Sequence, residues 1–504
     1  MAPVPQPRVQ TASGTVEGVQ AASGIREFRG IPFAAPPVRE LRWRPPQPVA
    51  RWSGVRRADR FAAQCMQARV FDDMVFRNAG VSEDCLYLNV WAPPAAAGAR
   101  LPVLVYFYGG GYVAGDGSEP RYDGESMAKR GMVVVTTSYR LGVFGFLAHP
   151  ELTRESPHHA SGNYALLDQV AALRWVHDNI AAFGGDPSRV TIGGESAGSF
   201  SVSALMASPL SRDLIAGAIG ESGAFFSQTI PTPSRADAEQ TGVAFATAAG
   251  AHSLAELRAL SAMELLAASM RRGAPRVGPD VDGWFLPAPP ESIYAAGRQA
   301  HVPLLAGWNS EESGPGGVLR GQPATPENVA RLVDSTFGAS AAEAARYYPA
   351  TTPEQAVQSA TDLASDRFIA YSTWRWLEAQ SATGGHPVYR YFYAHPRPAP
   401  AAATLASSPP PPAPRGAVHS AEIEYALGNL ATNRVYDWTS DDHAVSETME
   451  TYFANFVKHG DPNGPGVPAW PVGSVGADGG AMRMRIDVVS RAEPEPRARY
   501  LFLE

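Results

Sequence analysis

Short apolar runs recur along this chain, and most of them have the length and composition of buried β-strands. Residues 101–108 read Leu-Pro-Val-Leu-Val-Tyr-Phe-Tyr, and residues 132–137 read Met-Val-Val-Val-Thr-Thr. Runs without polar alternation are typical of central strands that are covered on both faces. Further strands are predicted by similar runs at 190–192, 216–220, 302–306 and 388–393.

Other segments carry apolar residues at helical spacing. The clearest covers 165–183 and stops before Gly184-Gly185, which predicts an amphipathic helix with a glycine end. Shorter helices are predicted at 126–130 and 443–459. The alternation of strands and helices through residue 310 indicates an α/β fold with a large, mostly parallel central sheet flanked by helices.

We expect this fold to occupy one domain over residues 1–504. Two stretches rich in alanine and leucine, around 235–275 and 325–380, predict helical insertions that cap or flank the sheet. The proline-rich stretch 396–414 is unsuited to helix or strand, which predicts an extended surface loop.

Composition and charge narrow the function classes. The 504 residues include 42 basic and 49 acidic side chains, for a net charge of −7, and no long basic run occurs. The sequence therefore lacks the excess of basic residues that is typical of nucleic-acid-binding proteins. No apolar run approaches the roughly 18 residues that a membrane span needs. The N-terminus has neither a basic nor an apolar leader region, which leaves two alternatives: a cytoplasmic protein, or an exported one whose signal peptide is replaced by Met1 in this sequence.

The chemistry is indicated by Gly194-Glu195-Ser196-Ala197-Gly198, which lies between a predicted strand and a predicted helix. In this strand–turn–helix context the pattern is typical of a nucleophile elbow, where a strained backbone holds the serine hydroxyl clear of the sheet. A serine nucleophile also needs a base, a carboxylate that orients the base, and N–H donors for the oxyanion.

Candidates for these partners lie on both sides of Ser196 in the chain. Gly109-Gly110-Gly111 comes directly after the strand at 101–108, where bare N–H groups could face an anion. An acidic pair, Glu311-Glu312, follows the strand at 302–306, and His419 lies further on. Serine, acid and histidine thus occur in the order typical of α/β-hydrolases. The adjacent His158-His159 is interpreted as a solvated loop pair and not as a metal site.

These motifs resemble the type-B carboxylesterase family, and the matches span nearly the whole chain in the family's order. The segment 82–90, Ser-Glu-Asp-Cys-Leu-Tyr-Leu-Asn-Val, is one of them. The others are 30–34, 108–112, 142–147, 163–168, 183–187, 194–198, 460–463 and the segments around Glu312 and His419.

The resemblance implies an α/β-hydrolase fold and hydrolysis of carboxylic esters through an acyl-enzyme. It implies that Ser196 is the nucleophile, that Glu312, the second member of the acid pair, is the triad acid, and that His419 is the general base. The oxyanion donors would be the N–H groups of Gly110, Gly111 and Ala197. No cofactor and no metal are implied, and the expected partners are a small-molecule ester and water.

The resemblance also implies structural pairs. Cys65 and Cys85 match the family's first disulfide, which favours a secreted or periplasmic location over the cytoplasm. Arg42 and Glu83 match an ion pair, as do Arg140 and Asp168. Two positions depart from the family: Ser313 and Ser420 stand where glycine commonly follows the acid and the histidine, which leaves the geometry of those turns open.

Alternatives remain for the substrate. The same mechanism could act on a polycarboxylate ester of a microbial toxin, on an amide or on a carbamate. A non-catalytic binding protein on the same scaffold is disfavoured because serine, acid and histidine are all present. If His419 is the base, activity should fall below about pH 6, where a histidine is protonated. The oligomeric state and the ester preferred are left open.

Overall fold

The computed structural model of this protein describes residues 6–94, 98–227, 232–401, 415–473 and 480–504. The chain forms two compact units, here called the first unit (Met1–Ile219 and Thr232–Val302) and the second unit (Gly220–Pro231 and Pro303–Glu504). The single domain expected over 1–504 stays a prediction. Most of the proline-rich stretch, residues 402–414, lies outside the described residues.

The last four strands of the first unit are those that the apolar runs predict, and the strands before them are not predicted by those runs. Their bounds are β1 (Arg8–Thr11), β2 (Gly14–Glu17), β3 (Val19–Gln20), β4 (Arg26–Pro32), β5 (Val55–Arg57), β6 (Gln64–Cys65), β7 (Val81–Ser82), β8 (Tyr87–Ala92), β9 (Leu101–Phe107), β10 (Val133–Thr137), β11 (Gly185–Glu195) and β12 (Gly217–Glu221). The chain passes into the second unit within β12.

The order of the main strands here is β3-β4-β8-β10-β9-β11-β12. β10 and β11 both pair with β9 in parallel, whereas β10–β8, β8–β4 and β4–β3 are antiparallel. β10 is buried along its whole length, and β9 is buried after its first residue. The continuous apolar runs are therefore central, covered strands, and the antiparallel pairs toward one edge make the sheet mixed.

Helices of the first unit follow these strands. They are α1 (Glu125–Lys129), α2 (Gly142–Phe146), α3 (Pro150–Glu155), α4 (Tyr164–Asn179), α5 (Ala197–Ala207), α6 (Arg235–Ala248), α7 (Leu254–Ala259), α8 (Ala262–Ser269) and α9 (Pro290–Ala295). α4 continues as a 3-10 turn to Phe183, and Gly184 then adopts a φ of +95°. That left-handed residue ends the helix where the sequence predicts its end.

The second unit has strands β13 (Leu304–Asn309), β14 (Val388–Tyr393), β15 (Met482–Ile486) and β16 (Arg491–Pro494), in that spatial order. The first three pair in parallel and β16 is antiparallel to β15. Its helices are α10 (Gly316–Leu319), α11 (Pro326–Phe337), α12 (Ala341–Tyr347), α13 (Pro353–Ser365), α14 (Tyr371–Thr383), α15 (Ile423–Ala426), α16 (Ser440–His459) and α17 (Arg497–Leu503), and a π-helical turn, Asp366–Ala370, joins α13 to α14.

The ion pairs expected in the first unit are present. Arg42 binds Glu83 through two hydrogen bonds of 2.6 and 2.7 Å. Arg140 binds the fully buried Asp168 through bonds of 2.8 and 2.7 Å. Two parallel hydrogen bonds from one guanidinium group satisfy a carboxylate that is buried away from water. No helix in the described ranges is both long and apolar enough to cross a membrane.

Cys65 and Cys85 form a disulfide across 20 residues, as the resemblance implies. A crosslink of this span removes conformational freedom from the unfolded chain, which stabilises a protein by about 3 kcal/mol. The Cys65→Ser/Cys85→Ser variant should therefore lose about 3 kcal/mol of unfolding free energy, measured by urea unfolding. The same loss is expected for the reduced wild type, and an unchanged urea midpoint in both samples would contradict the prediction.

Candidate active site

Ser196 lies between β11 and α5, in the strand–turn–helix geometry that the sequence predicts. Its backbone has φ +53° and ψ −120°, a conformation that costs a non-glycine residue on the order of 1–3 kcal/mol. Its carbonyl accepts the N–H of Phe200 at 2.9 Å, which starts the helix. A Cβ on Gly198 would lie 2.0 Å from the Phe107 carbonyl oxygen, so only glycine allows α5 to approach β9 this closely.

The glycine loop after β9 lies directly beside this turn. A Cβ on Gly109 would be 3.1 Å from the Ser196 Cβ and 2.5 Å from Oε2 of the buried Glu195. Gly110 and Gly111 adopt φ angles of +111° and +62°. Throughout the described ranges, no hydrogen bond occupies the N–H groups of Gly110, Gly111 or Ala197. These donors are available to an anion beside Ser196.

Tyrosine side chains brace the loop against α5. Tyr112, itself at φ +60°, shares a hydrogen bond of 3.0 Å with the Ser201 hydroxyl on α5. The Tyr139 hydroxyl donates to the Tyr108 carbonyl at 2.5 Å, and these two rings stack at 4.3 Å. Burial raises the pKa of Tyr108 and Tyr139, so both hydroxyls stay protonated and able to donate. These hydrogen bonds and the ring stacking hold the loop against its neighbours.

The second unit brings Glu312 and His419 together. Oε2 of Glu312 lies 2.6 Å from Nδ1 of His419, and the carboxylate is fully buried while a quarter (26%) of the histidine side chain is exposed. Because a carboxylate only accepts, Nδ1 carries the proton, and Nε2 is the unprotonated nitrogen of the neutral ring. The Phe368 ring packs edge-on against the imidazole at 5.1 Å.

Two residues that the sequence analysis did not select donate hydrogen bonds to Glu312. The Asn309 N–H donates to its Oε1 at 2.6 Å, and the Ser222 hydroxyl donates to the same oxygen. The Asn309 side chain in turn donates to Oε2 of the buried Glu422 at 2.5 Å. Ser222 follows β12 at φ +55°, in a Glu-Ser-Gly segment that repeats the Glu-Ser of the elbow. That repetition after a second strand is the signal that could have identified it.

Glu311 has a different environment from Glu312. Its backbone N–H donates to the Ala417 carbonyl at 2.8 Å, which brings the histidine segment alongside. Its carboxyl group is partly exposed, and burial raises its pKa. The structure therefore places the second acid, and not the first, on the imidazole.

The structure shows the backbone conformation of Ser420, which stands where the family commonly has glycine. Ser420 adopts φ +64°, a left-handed conformation that favours glycine, and its carbonyl accepts a 2.8 Å hydrogen bond from Arg397. The serine therefore keeps the turn that glycine would allow more easily. Ser313 is held by Ser365, whose hydroxyl accepts its N–H at 3.1 Å.

Other histidines have structural partners. His395 binds Asp442 at 2.9 Å, and the Tyr425 hydroxyl donates to the same carboxylate oxygen at 2.6 Å, which ties the end of β14 to α16. His158 stacks on Trp284 with ring centres 3.7 Å apart. Within the described residues, no group of histidine, cysteine, aspartate or glutamate side chains could hold a metal ion.

The Ser222 contact yields a prediction. Ser222→Ala leaves one oxygen of a buried carboxylate with one donor fewer, which costs about 1–3 kcal/mol. We expect kcat for p-nitrophenyl butyrate to fall about 10-fold with KM little changed, and the acidic limb of the pH profile to move. Ser372→Ala, which removes another buried hydroxyl of this unit, one bonded to the Ile369 carbonyl, is the matched control. Equal losses in both variants would assign Ser222 a purely structural role.

Comparisons with known proteins identify the family to which the chain belongs. The profile of the Carboxylesterase family matches residues 5–494. Fumonisin B1 esterase from Sphingopyxis macrogoltabida is 36% identical over 472 residues, which cover 92% of this chain and 83% of that protein. Para-nitrobenzyl esterase from Bacillus subtilis (strain 168) is 34% identical over 485 residues, covering 92% of each chain.

Solved structures of esterases have the same fold as this chain. A PNB esterase superposes with a TM-score of 0.81 at 31% identity and covers 99% of both chains. A carboxylesterase from Geobacillus stearothermophilus has a TM-score of 0.82 at 31% identity, over 98% of this chain and 99% of that one. The fold is therefore that of the α/β-hydrolases, a large mixed sheet flanked by helices.

Within the α/β-hydrolases, the comparisons also identify the family. The chain belongs to the carboxylesterase family. It is an enzyme that hydrolyses carboxylic esters.

Proposed function

We propose that Ser196, His419 and Glu312 form the catalytic triad of this esterase. The observation that carries the proposal is the 2.6 Å bond between His419 Nδ1 and the buried Glu312 carboxylate. It fixes the tautomer in which Nε2 accepts the proton of the attacking Ser196 hydroxyl. Glu312 then stabilises the imidazolium that forms, and the same proton passes to the departing alcohol.

The N–H groups of Gly110, Gly111 and Ala197 are proposed to bind the oxyanion of the tetrahedral intermediate. The left-handed glycines and the position of the loop beside Ser196 support this role. One such donor is typically worth about 10²- to 10³-fold in kcat. Collapse of the intermediate leaves an acyl group on Ser196, and water activated by His419 releases it as a carboxylic acid.

A panel of esters tests the function. It would contain p-nitrophenyl esters of rising acyl length, bulky aromatic esters and polycarboxylate esters. We expect turnover of at least the short p-nitrophenyl esters, without added metal or cofactor. Absence of turnover on the whole panel by folded protein would overturn the proposal.

The nucleophile can be identified independently of substrate preference. A fluorophosphonate forms a covalent bond to an activated serine, with fluoride as the leaving group. Peptide mass spectrometry should find the adduct on Ser196. An adduct on another serine would contradict the assignment.

A narrower substrate is a second candidate. The relative named fumonisin B1 esterase is 36% identical over 92% of this chain, which supports a specialised ester of the polycarboxylate toxin type as a substrate. A kcat/KM at least 10-fold higher for polycarboxylate esters than for p-nitrophenyl butyrate would favour it. The opposite ranking would favour a general esterase.

The location is also a proposal. The Cys65–Cys85 disulfide supports an oxidising compartment, so we propose a secreted or periplasmic enzyme. Cell fractionation with thiol labelling tests this location. The native protein should be found outside the cytoplasm, and neither cysteine should react with the label because both are in the disulfide. Cytoplasmic protein with two free thiols would refute it.

A further inference from the structure

One methionine of the first unit lies against the glycine loop that follows β9. A Cβ added to Gly110 would be 2.9 Å from Cε of Met74, so the methyl group of Met74 packs directly on Gly110. The preceding residue, Gly109, is equally close to the nucleophile, since a Cβ added to it would be 3.1 Å from the Ser196 Cβ. Met74 therefore contacts the loop one residue away from the point where the loop meets Ser196.

Met74 is held in this position from both sides along the chain. Before it, the Gln67 side chain exchanges two hydrogen bonds of 2.9 Å with the backbone of Gly115. After it, Nε of Arg77 donates to the Ser118 carbonyl at 2.8 Å. Both attachments are made to the stretch that directly follows the glycine loop, so the segment that carries Met74 and the glycine loop are fixed to the same part of the unit.

Met74 is also accessible to a small molecule. It is half-buried and lines a groove of about 430 Å³, whose other walls include Gln64 and Arg69. Its chain neighbours Asp73 and Val75 are exposed. A small polar molecule in the groove therefore reaches the Met74 side chain while the protein stays folded.

The other sulfur atoms of the first unit have different surroundings. Among the methionines that the structure describes there, Met66, Met127, Met132 and Met206 are buried, whereas Met263 in α8 and Met270 directly after it are exposed. Both cysteines of the chain are joined in the disulfide, so no thiol competes for an oxidant. Met74 is thus the methionine that is both accessible and in contact with the glycine loop.

From these contacts, and on the basis of the ester hydrolysis and the oxyanion role proposed above, we infer that Met74 is an oxidation site whose modification by a peroxide switches the enzyme off. One oxygen atom passes from hydrogen peroxide to the Met74 sulfur. The sulfur is oxidised by two electrons to the sulfoxide, the O–O bond breaks, and water leaves. A flexible apolar side chain thereby becomes a polar one.

The sulfoxide acts on the glycine loop through its new oxygen. The sulfur that gains the oxygen is bonded to Cε, the atom that packs on Gly110. A sulfoxide oxygen accepts hydrogen bonds, and the Gly110 N–H is one of the donors proposed for the oxyanion. In the oxidised protein we expect this N–H to bind the sulfoxide, which takes a donor from the oxyanion and draws the loop out of its present hydrogen bonds.

Activity and oxidation are measured on the same samples. The wild type is treated with a series of hydrogen peroxide concentrations, kcat is measured with p-nitrophenyl butyrate, and peptide mass spectrometry gives the sulfoxide fraction at each methionine. Full conversion of Met74 should lower kcat at least about 10-fold, since one oxyanion donor is typically worth about 10²- to 10³-fold. The remaining kcat should follow the unmodified fraction of Met74. Loss of activity with Met74 unmodified would overturn the inference, as would a Met74 that stays unmodified while Met263 is oxidised.

Two leucine variants assign the loss to one methionine. Met74→Leu keeps the size and apolar character of the side chain but offers no sulfur to the peroxide. Relative to its own untreated sample, its kcat should change by less than about twofold. Met263→Leu removes an exposed sulfur in α8 and should lose activity as the wild type does. Equal losses in all three proteins would contradict the inference, as would protection by Met263→Leu.

A measurement without turnover separates this inference from the proposed function. Hydrogen exchange is followed in the Ser196→Ala protein before and after peroxide treatment. The N–H groups of Val113 and Ala114 both donate to the Gly110 carbonyl at 3.1 Å. A shift of Gly110 toward the sulfoxide weakens these bonds, so the exchange of both amides should become at least about twofold faster.

The same exchange measurement has a control. Adding Met74→Leu to the Ser196→Ala protein should abolish the effect of peroxide. Faster exchange that needs Met74 supports the oxidation site even if no ester is cleaved. Unchanged exchange with Met74 fully converted to the sulfoxide refutes it, even in an active esterase.

Discussion

Replacing Ser196 by alanine is expected to reduce kcat for p-nitrophenyl butyrate by about 10³- to 10⁶-fold while KM changes little. The reason is that the variant keeps the glycine loop and the pocket but has no oxygen to form the acyl-enzyme. Stopped-flow measurement should also show loss of the p-nitrophenolate burst. A variant that keeps more than a tenth of wild-type kcat would exclude Ser196 as the nucleophile.

Two further variants make this test specific. Ser203→Ala removes a hydroxyl from the same helix, where it donates to the Phe200 carbonyl at 2.8 Å, and should keep near wild-type activity. Ser196→Gly should be as inactive as Ser196→Ala yet more stable in thermal unfolding, since glycine adopts φ +53° without strain. A lower melting temperature for Ser196→Gly than for Ser196→Ala would argue against strain at the elbow.

The second large effect is expected at the acid. Glu312→Gln preserves the size of the side chain but removes the charge that fixes the His419 tautomer and stabilises the imidazolium. A loss of about 10²- to 10⁴-fold in kcat is expected, as when the triad acid of other serine hydrolases is made neutral. Steady-state kinetics on p-nitrophenyl butyrate measures it.

The neighbouring acid supplies the matched control. Glu311→Gln makes the same chemical change one residue earlier, in a carboxyl group that is partly exposed and is not the one bound to the imidazole. Its kcat should stay within about threefold of the wild type, because the variant leaves the hydrogen bond between Glu312 and His419 in place. A larger loss in Glu311→Gln than in Glu312→Gln would reverse the assignment of the triad acid.

The strands that the apolar pattern predicts are those that lie between covering layers. The run at 101–108 is β9, that at 132–137 is β10, and that at 388–393 coincides with β14. Such strands are visible in the sequence because burial on both faces favours apolar residues at most of their positions. The buried Arg390 of β14 is an exception, and it pairs with Glu378 and Glu495.

The strand at Met482–Ile486 shows where this signal ends. Its arginines interrupt the apolar run, so the pattern does not predict it. In the structure Arg483 lies over the Phe392 ring at 4.0 Å and pairs with Glu493 at 2.8 Å. The partners that make an arginine acceptable there come from other strands, and no local pattern reports them.

The candidate site also has parts that the sequence predicts and parts that only the tertiary structure shows. The sequence by itself determined the elbow at Ser196 and the glycine loop, because both are turns whose backbone angles and close approaches are set by a few adjacent residues. The family resemblance already implies Glu312, but only the tertiary structure brings its carboxylate to His419, which lies 107 residues further along the chain. It alone also placed Ser222 and Asn309 on the Glu312 carboxylate. The physical reason is that a buried carboxylate needs donors from whichever segments the packing brings to it, and that choice belongs to the folded chain as a whole.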